Sequence, residues 1–167
     1  MSASPTITAI RNEIVTVIKT AMNASHSSAV TTVHDYRRFW RDADKFNSLF
    51  KRTDTGAGLG KINGWMVDRS TVRETQAPEW FRVYLLHRFQ LDGFCGIQDS
   101  GFTEKNFHDQ IELIRDGLRL NTTIFGNWEM TQPVASLDTF EPVTVGDATC
   151  WHAVISLTAE SIENKFT

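Results

Sequence analysis

A long run of alternating side chains, from Trp80 to Asp92, constrains the fold of this chain more than any other feature. Successive side chains of a strand point to opposite faces, so the alternation predicts one continuous β-strand. Its thirteen residues exceed the usual strand of five or six, and we therefore expect the hairpin that contains it to project beyond the domain body. The more apolar face holds Phe81, Val83, Leu85, His87, Phe89 and Leu91.

Two hairpins are predicted from the strand-like segments. The segment Ile62–Glu74 precedes the long strand and is separated from it by a turn at Thr75–Glu79. A connection this short favours an antiparallel pair. Near the end of the sequence, Thr139–Val145 and Thr149–Thr158 flank Gly146-Asp147, which predicts a second hairpin.

Three segments place apolar residues at spacings of three and four, the pattern of an amphipathic helix. They are Pro5–Met22, Asp35–Leu49 and Thr103–Asn121. Ser4 is a suitable N-cap for the first helix, and Thr103 for the third. The second segment has an aromatic face, which we expect to pack in the core.

The elements thus follow the order helix, helix, strand, strand, helix, strand, strand. Antiparallel hairpins packed against helices define an α+β fold. The β-branched stretch Ala29–Val33 favours a brief additional strand, and Thr122–Pro133 is expected to be a loop. Since there is no repeat of fixed period and no long linker, residues 1–167 are expected to form a single domain.

The glycine-rich stretch Thr53–Lys61 is the one segment that suggests a phosphate-binding loop. A P-loop requires a glycine where this chain has Thr55, and a serine or threonine where it has Ile62. The dinucleotide-binding pattern also fails, because Lys61 occupies its last glycine position. We therefore expect a flexible connecting loop.

Composition excludes several functional classes. The chain has 17 basic and 20 acidic residues, a net charge of -3 and a pI near 5.9, without the basic excess of a nucleic-acid binder. No apolar run approaches the roughly 18 residues of a membrane span, and the N-terminus lacks the pattern of a signal peptide. Two cysteines do not make a disulfide framework. We expect a soluble, intracellular protein in a reducing compartment.

Charge is unevenly distributed along the chain. Residues 122–167 contain six acidic residues and a single cation, Lys165, whereas the preceding part has a small basic excess. One interpretation is a solvated acidic surface; the other is a self-complementary interface between subunits. The charged candidates for that interface are Arg37, Arg38, Arg41, Arg69, Arg73, Arg82, Arg88, Glu141 and Asp147.

Two large apolar residues, Phe125 and Trp128, lie in the expected loop 122–133. They either tuck beneath the loop or contact a neighbouring subunit or another partner. The sequence does not decide between these two interpretations, and both residues are included among the candidate interface residues.

No catalytic constellation is visible in the sequence. None of the five histidines stands at a recognised metal-ligand spacing from another ligand residue. Cys150 and His152 share one strand face, but side chains two residues apart lie about 6–7 Å from each other, too far for a catalytic dyad. Cys95 and Cys150 are expected to be buried, and His87 and His152 to be structural. We expect no enzyme, cofactor or metal.

The order of elements resembles that of the tail terminator proteins of long-tailed bacteriophages, a family that includes minor tail proteins at the head–tail junction. The residues that carry the resemblance are the N-terminal helix, Val33-His34-Asp35-Tyr36, Phe39-Trp40, Gly64-Trp65-Met66-Val67-Asp68-Arg69, the strand Trp80–Asp92, the helix Phe107–Leu118 and a last strand ending near Glu160.

This resemblance implies a structural virion protein that forms a ring, typically a hexamer, on the last ring of the tail tube. The ring ends tube polymerisation and provides the attachment surface for the head. The implied partners are further copies of the chain, the tail tube protein and the head–tail connector, with no membrane and no sequence-specific nucleic acid, although DNA passes through the lumen. The implied location is the virion neck, with host cytoplasm during assembly. Two alternatives remain: another head–tail connector component, or an α+β ligand-binding or enzyme domain with an unrecognised site.

Overall fold

The computed structural model describes residues 7–25, 32–51, 62–76, 82–98, 103–120, 123–124, 128–130, 135–146 and 148–164. Several sequence predictions lie outside these residues. They are the Ser4 cap, the glycine-rich loop 53–61, most of the turn 75–79, residues Phe125 and Asp147, and the side chain of Trp128.

The described residues form an α+β fold, as the sequence predicts. In chain order the elements are α1 (Ile7–Ser25), β1 (Thr32–His34), α2 (Ala43–Phe50), β2 (Asn63–Gln76), β3 (Arg82–Gly96), α3 (Thr103–Leu120), β4 (Thr123–Ile124), β5 (Trp128–Met130), β6 (Ser136–Val145) and β7 (Ala148–Asn164). The predicted helices and hairpins are present in the predicted order. The brief strand favoured at Ala29–Val33 is present as β1, shifted toward His34, and two short strands, β4 and β5, are additional.

All seven strands join one mixed sheet with the order β1-β2-β3-β7-β5-β4, in which β6 also pairs with β7. The predicted hairpins are β2–β3 and β6–β7, both antiparallel. They are joined through β3 and β7, which pair from Arg82↔Asn164 to Gly96↔Cys150. Among the described strands, only β1 runs parallel to its neighbour, pairing with Gly64–Met66 of β2. The two long central strands therefore hold the hairpins in one sheet.

The main hydrophobic core lies between one face of the sheet and the helices α1 and α3. Both predicted apolar stripes are confirmed, since the following side chains are fully buried: Ile10, Ile14, Ile18, Phe107, Ile111, Ile114 and Leu118. Trp65 of β2 is also fully buried, with its ring centroid 5.6 Å from that of Phe107. Burying each such side chain contributes about 1.5–3 kcal/mol, which fixes this face of the sheet against the helices.

A second, smaller core lies on the opposite face, beneath α2. Phe46 and Phe50 of α2 pack on Phe94 of β3, with ring centroids 5.2 and 4.9 Å apart. Trp40 lies edge-on to the same rings. Cys150 is buried in this cluster. The expectation that the aromatic face of residues 35–49 packs in the core is confirmed for Trp40 and Phe46. It is wrong for Tyr36 and Phe39, which are 47% and 78% exposed.

The predicted start of the second helix is wrong. The helix begins at Ala43 rather than Asp35, because Asp42 is its N-cap: its backbone is extended, and its carboxylate accepts a hydrogen bond from the Lys45 N–H at 2.9 Å. Residues 37–40 have no regular secondary structure. They cross the sheet, where the Arg38 N–H contacts the Met66 sulfur at 3.4 Å.

The predicted loop 122–133 is also wrong in part. It contains β4 and β5, which pair with each other, and β5 pairs with β7 from Trp128↔Ser161 to Met130↔Ala159. The strand β7 extends to Asn164, whereas β6 reaches only as far as Ser156 along it. The short strand β5 supplies hydrogen-bond partners to β7 beyond the end of β6.

At the end of the β2–β3 hairpin, β3 also pairs with β7 as far as Arg82↔Asn164, so this end is not a free hairpin and its projection beyond the domain body stays a prediction. We call residues 70–76 of β2, with the paired residues 83–88 of β3, the arm. Every residue from Ser70 to Gln76 is exposed, and the apolar Val72 is 50% exposed. Within the described chain, β1 covers the edge of β2 only as far as Met66.

Candidate functional site

A cavity of about 380 Å³ opens between residues 37–40 and the sheet face that carries α2. One wall is the irregular segment Arg37-Arg38-Phe39-Trp40. The floor comes from four strands: Met66 of β2, Asp92 and Phe94 of β3, Val143 and Val145 of β6, and His152 of β7. Because α2 begins only at Ala43, the preceding residues are free to form this wall.

An acid–base pair lies in the cavity floor. The Nε2 atom of His152 is 3.1 Å from Oδ1 of Asp92, and both side chains are partly accessible. The imidazole ring also stacks on Phe94, with centroids 4.7 Å apart and planes 12° apart. These contacts fix the orientation of the imidazole ring in the cavity floor.

The wall of the cavity is cationic and aromatic. The guanidinium carbon of Arg38 lies 4.5 Å from the Tyr36 ring centroid, and that of Arg37 lies 5.8 Å from the Phe39 centroid. Arg37 also approaches Asp68 at 3.9 Å. Phe39 itself is 78% exposed, so the rim presents a large apolar ring to solvent.

Arg38 has an unmet hydrogen-bonding requirement. Its Nε atom is buried and has no hydrogen-bond partner among the described residues. A buried donor without a partner costs free energy, whereas a carboxylate would satisfy an arginine donor strongly. The accessible groups of the wall are the guanidinium of Arg37, whose side chain is 59% exposed, and the ring of Phe39, and these suit an anionic group accompanied by an apolar one.

Cys150 does not supply a nucleophile to this cavity. Its side chain is fully buried beneath α2, and burial raises the pKa of its thiol to about 11. The reactive form of cysteine is the thiolate, which is scarce at neutral pH with such a pKa. Cys95 is buried too, in the main core, and neither cysteine forms a disulfide bond.

The structure divides the sequence-predicted interface residues between the cavity and the rest of the sheet. Arg37 and Arg38 line the cavity, and Arg41 lies exposed just beyond it, 3.3 Å from Asp42. Glu141 of β6 is exposed and opposite His152 in the register. Four arginines lie on the β2–β3 hairpin, and Trp128 lies on β5. The four are Arg69, Arg73, Arg82 and Arg88.

Some of the basic and acidic residues form ion pairs with each other within one chain. Arg88 of β3 pairs with Asp138 of β6 at 3.3 Å, and the hydroxyl of Ser156 donates to the same carboxylate at 3.0 Å. The predicted contact between Glu141 or Asp147 and a neighbouring subunit stays a prediction.

Sequence reasoning missed the Asp92–His152 pair and the cavity around it. The two residues are 60 positions apart, and they meet only because β3 pairs with β7 in one particular register. A sequence signal was present in part: the alternation places Asp92 on the face opposite Leu91, and His152 opposite Ala153. It does not tell which strands are neighbours.

Within the described ranges, no group of three or more histidine, cysteine, aspartate or glutamate side chains is arranged to hold a metal ion. In the same residues, no helix combines the length and the apolar character that crossing a membrane requires. No family model matches the chain, and no curated protein matches it.

Proposed function

We propose that this chain is a structural protein of a long-tailed bacteriophage that forms a ring on the end of the tail tube. The ring ends tube polymerisation and presents a second face to the head–tail connector. The observation that supports this proposal is the β2 half of the arm, residues 70–76, which are all exposed and have one strand edge unpaired in the described chain.

An arm of this kind suits assembly between subunits. The strand β2 continues for ten residues past Met66 with one edge unpaired in the described chain. Open strand edges readily associate with other chains. A contact between the arm of one subunit and a different surface of the next is heterologous, and heterologous contacts close into rings when the rotation between subunits allows it.

The charged residues on the hairpin would set the register of such contacts. Arg73 and Arg82 are exposed, and ion pairs at a solvent-exposed rim contribute only about 0–1 kcal/mol each. They therefore affect association rate and partner choice more than affinity. Apolar contacts, to which the exposed Val72 would contribute, supply the remaining free energy.

The test is a tube-length assay. Tail tube subunits of the same virus are polymerised with the chain or with a variant, and tube lengths are measured by electron microscopy. The wild type should stop growth at a low ratio of chain to tube subunit. Val72→Asp should lose this activity, whereas the control Leu120→Asp should keep it, because Leu120 is an exposed apolar residue at the end of α3. Tubes that lengthen equally with and without the wild type would contradict the proposal.

The cavity favours a second candidate function, a ligand-binding or enzymatic domain. Its volume of about 380 Å³ is within the range of small-molecule sites, and Asp92 and His152 place hydrogen-bonding side chains in its floor. A small molecule that co-purifies with the wild type and is lost with Asp92→Asn would favour this role. Native mass spectrometry of both proteins measures it directly.

A further inference from the structure

We infer that the cavity between residues 37–40 and the sheet binds a small aromatic carboxylate, with the acid group on Arg37 and the ring on the apolar floor. The inference deepens the second candidate function, on which it rests, because it names the chemical class of the ligand. It does not depend on the ring of subunits, since every residue used belongs to one chain.

Arg37 supplies the cation that is available to a ligand. Its side chain is 59% exposed, and its contact with Asp68 is 3.9 Å long, longer than a hydrogen bond of about 2.7–3.2 Å. The Asp68 carboxylate also lies 3.7 Å from Arg11. The guanidinium of Arg38, by contrast, lies against the Tyr36 ring, 4.5 Å from its centroid. Arg37 therefore has donors left for a ligand carboxylate, which an arginine can bind through two parallel hydrogen bonds.

The floor and rim of the cavity favour an aromatic ring. Four apolar side chains line the floor: Met66, Phe94, Val143 and Val145. At the rim the Phe39 ring is 78% exposed, so a ligand ring that covers it would remove apolar surface from water. Aromatic rings also pack favourably on one another in offset or edge-to-face geometry. The part of the ligand that faces the sheet is therefore apolar and aromatic.

Asp92 limits the ligand to a single anionic group. Among the described residues that line the cavity it is the one acidic side chain, and its Oδ1 atom lies 3.1 Å from Nε2 of His152. A second anionic group on the floor would lie near this carboxylate, and like charges repel. A dicarboxylate is therefore a poorer fit than a monocarboxylate with an apolar body.

The volume of the cavity limits the size of the ligand. At about 380 Å³ it lies near the lower end of the range of about 300–1,000 Å³ for small-molecule sites. A carboxylate on one or two rings suits this volume. The probe is therefore 2-naphthoate, a two-ring acid, and 2-naphthamide is its neutral counterpart of nearly the same shape.

The test is isothermal titration calorimetry of the purified chain at neutral pH, where 2-naphthoate is an anion. A ligand of this size should bind the wild type with a Kd of about 1 mM or lower. 2-Naphthamide should bind at least about tenfold more weakly, because it lacks the charge that Arg37 recognises. Acetate, which has no ring, should give no measurable heat of binding.

Variants assign the binding to the cavity. Arg37→Gln should weaken 2-naphthoate binding at least about tenfold and leave 2-naphthamide binding unchanged. The matched control, Arg41→Gln, should bind as the wild type does, since Arg41 is exposed and is not among the described residues that line the cavity. Val143→Phe should weaken the binding of both probes, because the larger side chain fills part of the cavity. Thermal melting shows whether each variant folds, and Arg37→Gln should melt near the wild type, since Asp68 keeps its contact with Arg11.

The outcomes separate this inference from both candidate functions. A wild type that binds neither probe at millimolar concentration, or binds both equally, would overturn the inference, as would an equal loss in Arg37→Gln and Arg41→Gln. If native mass spectrometry then shows a co-purified molecule of another chemical class, the ligand-binding role stands without this ligand. A monomer that binds 2-naphthoate through Arg37 would support the inference and contradict the ring.

Discussion

Gly93 should be the least replaceable glycine of the sheet. It pairs across strands with Trp65, and a Cβ atom added at Gly93 would lie 2.5–2.6 Å from three carbons of the Trp65 ring. The ring has no space to withdraw, because Trp65 is fully buried and packs against Phe107 of α3. Ordinary contacts between carbon atoms are about 3.5–4.0 Å. Gly93→Ala therefore demands a shift of about 1 Å in a closely packed core.

The expected cost follows from this overlap. Overpacking a well-packed core typically costs about 1–3 kcal/mol. For a domain of this size, each kcal/mol lowers the melting temperature by about 2–4 °C. We expect Gly93→Ala to melt roughly 2–12 °C below the wild type, measured by calorimetry and by urea unfolding at equilibrium.

The matched control is Gly117→Ala, in the last turn of α3. There an added Cβ lies 3.1 Å from the Cγ1 atom of Val17 on α1, and removing a glycine from a helix gains up to about 0.5–1 kcal/mol. The two effects roughly offset, so its stability should stay within about 1 kcal/mol of the wild type. If Gly93→Ala matches the wild type, the Trp65 ring does not lie on Gly93, and the register of β2 with β3 is wrong.

Three further perturbations test other parts of the molecule. Burial, with a smaller contribution from Arg69, lowers the pKa of His87 to about 4. Between pH 6.5 and pH 4 the unfolded chain therefore binds a proton that the folded chain excludes, so about 3 kcal/mol of the free energy of unfolding is lost as pH falls. Urea titrations at several pH values should show a smaller loss of this free energy in His87→Leu than in the wild type. Gly146→Ala should destabilise the β6–β7 turn by about 1–3 kcal/mol, because Gly146 has φ +64° and lies against Ala43 of α2. Thermal melting measures the change, and an unchanged melting temperature would refute this turn geometry. Iodoacetamide at pH 8 should alkylate Cys150 slowly in the native protein and rapidly in urea, as mass spectrometry would show, because burial raises the pKa of the thiol to about 11.

Elements with a strong periodic pattern could be predicted from the sequence. The alternation around Phe89 and Leu91 predicts β3, and both residues are fully buried on the face that meets the helices. The spacing of Ile10, Ile14 and Ile18 predicts α1 in the same way. In these segments the local periodicity matches the burial seen in the fold, so the sequence pattern alone predicts the element and its buried face.

The features that the sequence pattern does not predict depend on contacts between segments that are far apart in the chain. The aromatic spacing of residues 36–40 is typical of a helix, yet the chain there is irregular, because Trp40 packs on Phe94 and Asp42 caps the helix that follows. The strand β5 forms because β7 extends past the end of β6. The cavity requires the pairing of β3 with β7, which brings Asp92 to His152. None of these partners is adjacent in sequence.

The central claim is that this chain assembles into a closed ring through heterologous contacts of its arm. Native mass spectrometry of the purified chain across a range of concentrations tests it most directly. The account predicts a discrete species at about six times the mass of the 18.9 kDa chain, which disappears with Val72→Asp and persists with Leu120→Asp. A wild type that remains a monomer at the highest concentration, or stops at a twofold dimer, would contradict it.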